Sequence, residues 1–97
     1  MISNSNLTSY NIVSRHKSTI TLAANSVKRY SDVGQIFDDV DFTKYGLSNI
    51  MVVPSDTSNA IGYVCEVSGT LYVYLRNLSN SQITIDFETR GTFARTF

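Results

Sequence analysis

Apolar and polar residues alternate one by one along much of the chain. This period of two is typical of β-strands that have one face in a core and the other in solvent. The clearest segments place these residues toward the core: Ile20 and Leu22; Leu71, Val73 and Leu75; and Ile83, Ile85 and Phe87. We expect the last two segments to pair as a hairpin, which leaves Tyr72 and Tyr74 on the face opposite the core.

Other segments have strand-like runs bounded by turn residues. The segment of residues 49–53, apolar after Asn49 and ended by Pro54, predicts a central strand with both faces covered. The run before Ser68 and Gly69 predicts a strand followed by a tight hairpin turn. A return strand starting at residues 27–30 and a short last strand at residues 92–96 complete the set. About seven or eight short strands result, which predicts an all-β, antiparallel sandwich or barrel.

Residues 31–46 do not follow the period of two. Val33, Ile36, Phe37 and Val40 have helical spacing after a possible cap at Asp32, but a strand is also compatible with the same run. We interpret it as strand up to Phe37, then a turn, with one helical turn or a loop at residues 41–46. Residues 1–14 are interpreted as a polar N-terminal arm and residues 15–97 as a single domain.

Composition adds a low charge to this picture. Only 16% of residues are charged, and the 8 basic side chains balance the 8 acidic ones. A nucleic-acid-binding domain normally has a basic excess, so this class is disfavoured. No apolar run is long enough to cross a bilayer, and the polar start of the chain has no pattern of a signal peptide, which predicts synthesis in the cytoplasm.

The residue types that catalyse reactions or hold metals are sparse. His16, the only histidine, is flanked by Arg15 and Lys17 and is predicted to lie exposed at a strand edge. The single Cys65 lies in an apolar run and is predicted to be a buried thiol. Asp38, Asp39 and Asp41 lack the further ligands of a calcium loop. The sequence therefore predicts a protein that is not an enzyme and has no cofactor and no metal.

Tyrosines are the remaining candidates for a binding surface. Tyr72 and Tyr74, which point away from the predicted core, are joined in the candidate set by Tyr45, Tyr63 and Arg76. Exposed tyrosines provide a large contact area at a low entropy cost, which suits a subunit interface or the stacking of a saccharide. Packing of the tyrosines within the chain itself is the third alternative.

Two segments resemble the small β-sandwich modules of tailed-bacteriophage structural proteins, such as tail-fibre, baseplate and minor virion proteins. The first is a threonine-rich strand that ends in an Ala-Ala-Asn-Ser turn at residues 18–26. The second runs over residues 71–85 and contains an Arg-Asn-x-Ser turn before a Thr/Ile strand, with Arg90 beyond it. The resemblance covers residues 18–92 and brings no catalytic residues with it.

The resemblance implies a jelly-roll-like sandwich, a homo-oligomer that is most often a trimer, and a location in the virion in contact with other virion proteins. It also implies contact with a host-surface saccharide. Two alternatives stay open: a monomeric carbohydrate-binding module with the tyrosines as its sugar platform, and a small regulatory protein that binds a host protein through a strand edge.

Overall fold

The computed structural model describes residues 11–96, and the first ten residues of the predicted arm and residue 97 lie outside them. The described chain is all-β and antiparallel, as predicted. Its strands are β1 (Asn11–Leu22), β2 (Val27–Asp32), β3 (Tyr45–Pro54), β4 (Ala60–Val67), β5 (Thr70–Asn77) and β6 (Ile83–Arg95), and one helix, α1 (Val33–Ile36), follows β2. The predicted boundary of the arm at residue 14 falls inside β1.

The strands form two three-stranded sheets. Sheet A has the order β1-β6-β3 and sheet B the order β2-β5-β4. Short loops join β1 to β2, β3 to β4 and β5 to β6, so every one of these connections passes from one sheet to the other. Because β6 is antiparallel to both of its neighbours, the three loops lie at the same end of sheet A. We call the end formed by residues 23–26, 55–59 and 78–82 the loop end.

The core lies between the two sheets, and the predicted alternation holds there. Sheet B contributes Val73 and Leu75, and both are completely buried. The residues that sheet A contributes are Ile20, Leu22, Ile85, Phe87 and Phe93. The segment after β2 also covers the core, with Val33, Phe37 and Val40. The sandwich-like architecture therefore follows from the faces that the alternation predicts.

Strand number and strand pairing differ from the expectations. The described residues hold six strands instead of seven or eight, because the two predicted C-terminal strands are one strand, β6. Gly91 allows strand β6 to continue past two buried rings, because a Cβ at this position would lie 2.7–2.9 Å from the rings of Phe93 and Phe37. The predicted hairpin of residues 71–75 with 83–87 is wrong, because β5 and β6 lie in different sheets.

Two local interpretations are also wrong. The segment after Asp32 is helical, not strand, because the Asp32 side chain accepts a hydrogen bond from the amide of Gln35 at 2.8 Å and caps the helix. The run that Pro54 ends is the edge strand β3 and not a central strand. Met51 in that run is 50% exposed, so the apolar residues of β3 are not all buried.

Buried Asn77 joins two of the three loops of the loop end, residues 23–26 and 78–82. Its amide nitrogen lies 3.3, 3.1 and 2.8 Å from the carbonyl oxygens of Leu22, Ala23 and Ser81. Its side-chain oxygen accepts from the amide and the hydroxyl of Ser79, both at 2.9 Å. The next amide, that of Leu78, donates to the carbonyl of Asn59 at 2.7 Å. Sequence analysis did not single out Asn77.

Candidate functional site

The outer face of sheet B brings together most of the predicted contact residues. In the register of β4 with β5, Tyr63 lies opposite Tyr74 and Cys65 lies opposite Tyr72. In the register of β2 with β5, Arg29 lies opposite Tyr74. We call the surface formed by Val27, Arg29, Ile61, Tyr63, Cys65, Val67, Tyr72, Tyr74 and Arg76 the tyrosine face. A cross-strand row of Arg29, Tyr74 and Tyr63 crosses the middle of this face.

The aromatic rings of the tyrosine face are held by stacking. The rings of Tyr63 and Tyr74 lie 5.4 Å apart at an angle of 8°. The guanidinium carbon of Arg29 lies 4.0 Å from the centre of the Tyr72 ring and 5.7 Å from that of Tyr74. The Nε of Arg29 also donates to the Tyr74 hydroxyl at 3.2 Å. Cation–π contacts at exposed sites contribute about 0.5–1 kcal/mol each, so Arg29 keeps these rings in place.

Apolar side chains surround this row. Val27, Ile61 and Val67 are 45%, 44% and 37% exposed, and Tyr63 is 38% exposed. Arg76 lies exposed between Val27 and Ile61, at the loop end of the face. An aromatic and aliphatic centre with arginines is the composition that protein interfaces favour.

Two of the residue predictions have a different outcome. Tyr45 is not part of the tyrosine face: it begins β3 in sheet A, opposite Arg95, and packs half-buried against the core. Cys65 is exposed, so the prediction of a buried thiol is wrong. Its strand is an edge strand and Cys65 points to the outer face, where the residues Tyr72 and Tyr74 lie too.

Arg29 is a contact residue that sequence analysis missed. Its strand has an irregular register between Arg29 and Ser31, which leaves Tyr30 out of the pairing with β5. Tyr30 turns inward instead, and its ring meets that of Phe87 edge-on at 4.9 Å. Alternation places Arg29 on the same face as Val27, but the sequence does not tell that the apolar Val27 lies on the outer face, where it is 45% exposed.

A second polar cluster joins β1 to the segment after α1. The Ser14 hydroxyl donates to Asp39 at 2.8 Å and lies 2.9 Å from Nε2 of His16, which in turn lies 3.0 Å from the other Asp39 oxygen. The hydrogen bond from Ser14 is the main cause that lowers the pKa of Asp39, and His16 adds to it. The ring of His16 packs edge-on against Phe37 at 5.2 Å.

This cluster has the residue types of a catalytic triad but not its arrangement. A triad needs the serine at one ring nitrogen of the histidine and the carboxylate at the other. Here Ser14 and Asp39 both contact Nε2, and the Ser14 proton points to Asp39 rather than to the histidine. The cluster therefore does not activate Ser14, and its contacts tie β1 to the segment that covers the core.

A shallow groove lies on the outer side of sheet A, away from the tyrosine face. Its volume is about 530 Å³, and Lys17, Thr19, Val53, Asp86, Glu88 and Arg90 are among its lining residues. Arg90 donates to Glu88 and lowers the pKa of that carboxyl group. Thr19 donates to Asp86 at 2.6 Å. Both carboxylates of the groove thus have partners within it, and the groove is open to solvent.

Within residues 11–96, no group of three or more His, Cys, Asp and Glu side chains is placed to hold a metal ion. The single helix in this part of the chain has four residues, too few to span a bilayer. Comparisons of the chain with protein-family models, with curated proteins and with solved structures found no match. The function is therefore argued from the tyrosine face itself.

Proposed function

We propose that the protein is a non-enzymatic structural module that assembles with copies of itself and with neighbouring proteins through the tyrosine face. The observation that carries this proposal is the row of Arg29, Tyr74 and Tyr63 set among exposed aliphatic residues. Apolar and aromatic residues are placed together on one outer face of a sheet, although alternation would allow polar residues there. Such a patch is typical of a protein interaction surface.

The ring geometry favours assembly over the alternative of a sugar platform. A saccharide that stacks on tyrosine needs an open ring face. Tyr63 and Tyr74 lie nearly parallel across neighbouring strands and each covers one face of the other, while the Arg29 guanidinium lies over the ring of Tyr72. Stacking thus occupies one face of each of these rings and leaves less open ring area for a sugar, while the hydroxyls and the remaining ring surface suit the polar and apolar mixture of a protein surface.

The resemblance to phage structural modules supplies the setting of the proposal. It suggests a tail, baseplate or head-decoration protein, where many copies pack around a symmetry axis. Detection of peptides of this chain in purified virions, by mass spectrometry, tests this part. If purified virions lack the chain, the proposal of a virion protein is contradicted, whereas assembly through the tyrosine face is tested separately.

Solution mass tests the assembly. We expect light scattering on a sizing column to give a multiple of 10.8 kDa that persists over a tenfold dilution in the micromolar range. A monomer throughout that range contradicts the proposal. A mass near three times that of the chain agrees with the trimer that the resemblance implies.

A matched pair of variants tests the surface. Ile61→Glu places a charge on the tyrosine face, and Met51→Glu places one on the outer face of sheet A, at an edge strand with a similar exposure of 50%. We expect Ile61→Glu to weaken assembly by about tenfold or more, which corresponds to about 1.4 kcal/mol, and Met51→Glu to leave it unchanged. Equal behaviour of the two variants contradicts the proposal.

A further inference from the structure

Each sheet of the sandwich has two edge strands, and three of the four carry features that hinder pairing with another chain. Natural edges are protected by charged side chains, bulges and prolines. β1 has Arg15 and Lys17, and β2 has two basic residues beside its irregular register. β3 has an irregular register between Leu47 and Asn49 and ends in Pro54.

The fourth edge, β4, has no bulge, no proline and no basic side chain. Its eight residues from Ala60 to Val67 contain one charge, Glu66, and no lysine, arginine or proline. Its register with β5 is continuous, so no bulge twists it away. In the described part of the chain, β4 pairs on one side only. An edge that is mostly apolar, has a regular register and carries a single charge is a template for strand addition.

The hairpin turn fixes which backbone groups of β4 face outward. Ser68 and Gly69 both have positive φ, 52° and 84°, as in a two-residue turn. The residues flanking such a turn, Val67 and Thr70, exchange hydrogen bonds with each other. Since hydrogen-bonded positions alternate in antiparallel pairs, Tyr63 also bonds to β5, while Gly62 and Val64 direct their N–H and C=O groups to the open edge.

We propose that two copies of the chain join edge to edge through β4, in antiparallel register with Tyr63 opposite Tyr63 of the second copy. This inference rests on the proposed function, which it makes specific. In this register Gly62 of each copy exchanges hydrogen bonds with Val64 of the other copy, and the two Tyr63 residues form a non-hydrogen-bonded pair. The Cβ atoms of such a pair lie about 4.5–5.5 Å apart, the distance at which aromatic rings stack.

The twofold arrangement uses the aromatic row that each copy already has. The stack of Tyr74 on Tyr63 continues onto Tyr63 and Tyr74 of the second copy, so the row becomes self-complementary. Glu66 falls opposite Ala60, and no like charges meet. The two copies of sheet B become one six-stranded sheet, and their tyrosine faces become one continuous surface. A closed isologous dimer of this kind leaves no further β4 edge open.

The exposed Cys65 allows a direct test of the register. In the proposed pairing Cys65 lies opposite Ile61 of the second copy, in a non-hydrogen-bonded pair with Cα atoms about 4.5 Å apart, within the range of a disulfide. Ile61→Cys therefore allows two symmetric disulfides between the copies. We expect oxidised glutathione to move most of this variant to twice the chain mass on a non-reducing gel, and the double variant Ile61→Cys with Cys65→Ser to stay at the single-chain mass.

Two further variants show whether the link is specific. Val67→Cys lies opposite residue 59 of the second copy and meets Cys65 only if the register is shifted by about six residues. Val27→Cys lies on the same face but on the far edge strand, β2. We expect neither variant to form the disulfide-linked dimer. Linkage of Val67→Cys without linkage of Ile61→Cys overturns the register, and equal linkage of all variants overturns the edge pairing.

Light scattering of the unmodified chain separates this inference from the proposed function. A dimer together with the Ile61→Cys linkage supports both. A dimer without the linkage, or a trimer, overturns the β4 pairing but leaves assembly intact. A monomer overturns the proposed function, and the inference with it.

Discussion

Substitution of Asn77 is expected to destabilise the fold more than any surface change, because its buried amide joins the loop of residues 23–26 to the loop of residues 78–82. The amide nitrogen has two hydrogens to share among three carbonyl oxygens, and the side-chain oxygen accepts two hydrogen bonds. Four effective hydrogen bonds are thus lost in Asn77→Ala. At about 0.5–1.5 kcal/mol each, they contribute about 2–6 kcal/mol.

The middle of that range, about 3–4 kcal/mol, is a large part of the 5–15 kcal/mol by which small domains are stable. For a domain of this size it corresponds to a fall in melting temperature of roughly 12–30 °C. The assay is urea unfolding followed by far-UV circular dichroism, since the chain has no tryptophan. The control is Asn80→Ala, an exposed asparagine in the same loop, for which we expect a change below about 0.5 kcal/mol.

Asn77→Asp tests the direction of the hydrogen bonds. It replaces the donor that faces three carbonyl oxygens with an acceptor, so the charged carboxylate is disfavoured and its pKa in the folded state is expected to be raised. The deficit of this variant against the unmodified protein should therefore shrink as the pH is lowered toward 4. A loss of less than about 1 kcal/mol for Asn77→Ala, or a deficit of Asn77→Asp that does not change with pH, would refute the reasoning.

Two other predictions concern close packing and pH. Gly62→Ala would place a Cβ 2.3 Å from Cγ1 of Val52, and we expect a loss of about 1–3 kcal/mol in urea unfolding; Gly46→Ala, with a nearest atom at 3.4 Å, is the control and should be near neutral. The pKa of Asp39 is lower in the folded than in the unfolded state, where it is about 4. The contact of Asp39 with Ser14 therefore stabilises the fold above about pH 4, and this contribution is lost as the pH falls through the pKa of the folded state. The difference in unfolding free energy between the unmodified protein and Asp39→Asn should shrink below pH 4, and a difference that is constant from pH 7 to pH 3 would contradict this.

The sequence was informative where the local pattern decides the structure. Alternation predicted which residues of β1, β5 and β6 enter the core, and the same pattern placed Tyr72 and Tyr74 outside it. The turn at Ser68 and Gly69 has the positive φ angles that were expected. These features depend on neighbours along the chain, so no tertiary information was needed.

Pairing between strands could not be predicted in the same way. Alternation tells which face of a strand is apolar but not which strand lies beside it, so β5 and β6 were assigned to one hairpin. The decisive residue is Asn77, since its buried amide binds the carbonyl groups of Leu22 and Ala23, far away in the chain. The position of Arg29 on the tyrosine face depends likewise on tertiary structure, because Arg29 shares a face with Val27, an apolar residue that lies 45% exposed on the outer side of sheet B. Sequence analysis thus named Tyr63, Tyr72, Tyr74 and Arg76 of the tyrosine face and missed Arg29.

The place of β6 in the middle of sheet A has a consequence for biosynthesis. β1 and β3 both bond to β6 and not to each other, although both are made before it. Translation must therefore reach residues 83–95 and release them from the ribosome before either strand finds its partner. Until then the apolar faces of β1 and β3 are exposed to other nascent chains. We infer that this domain folds after its last strand has left the exit tunnel, and not stepwise during its synthesis.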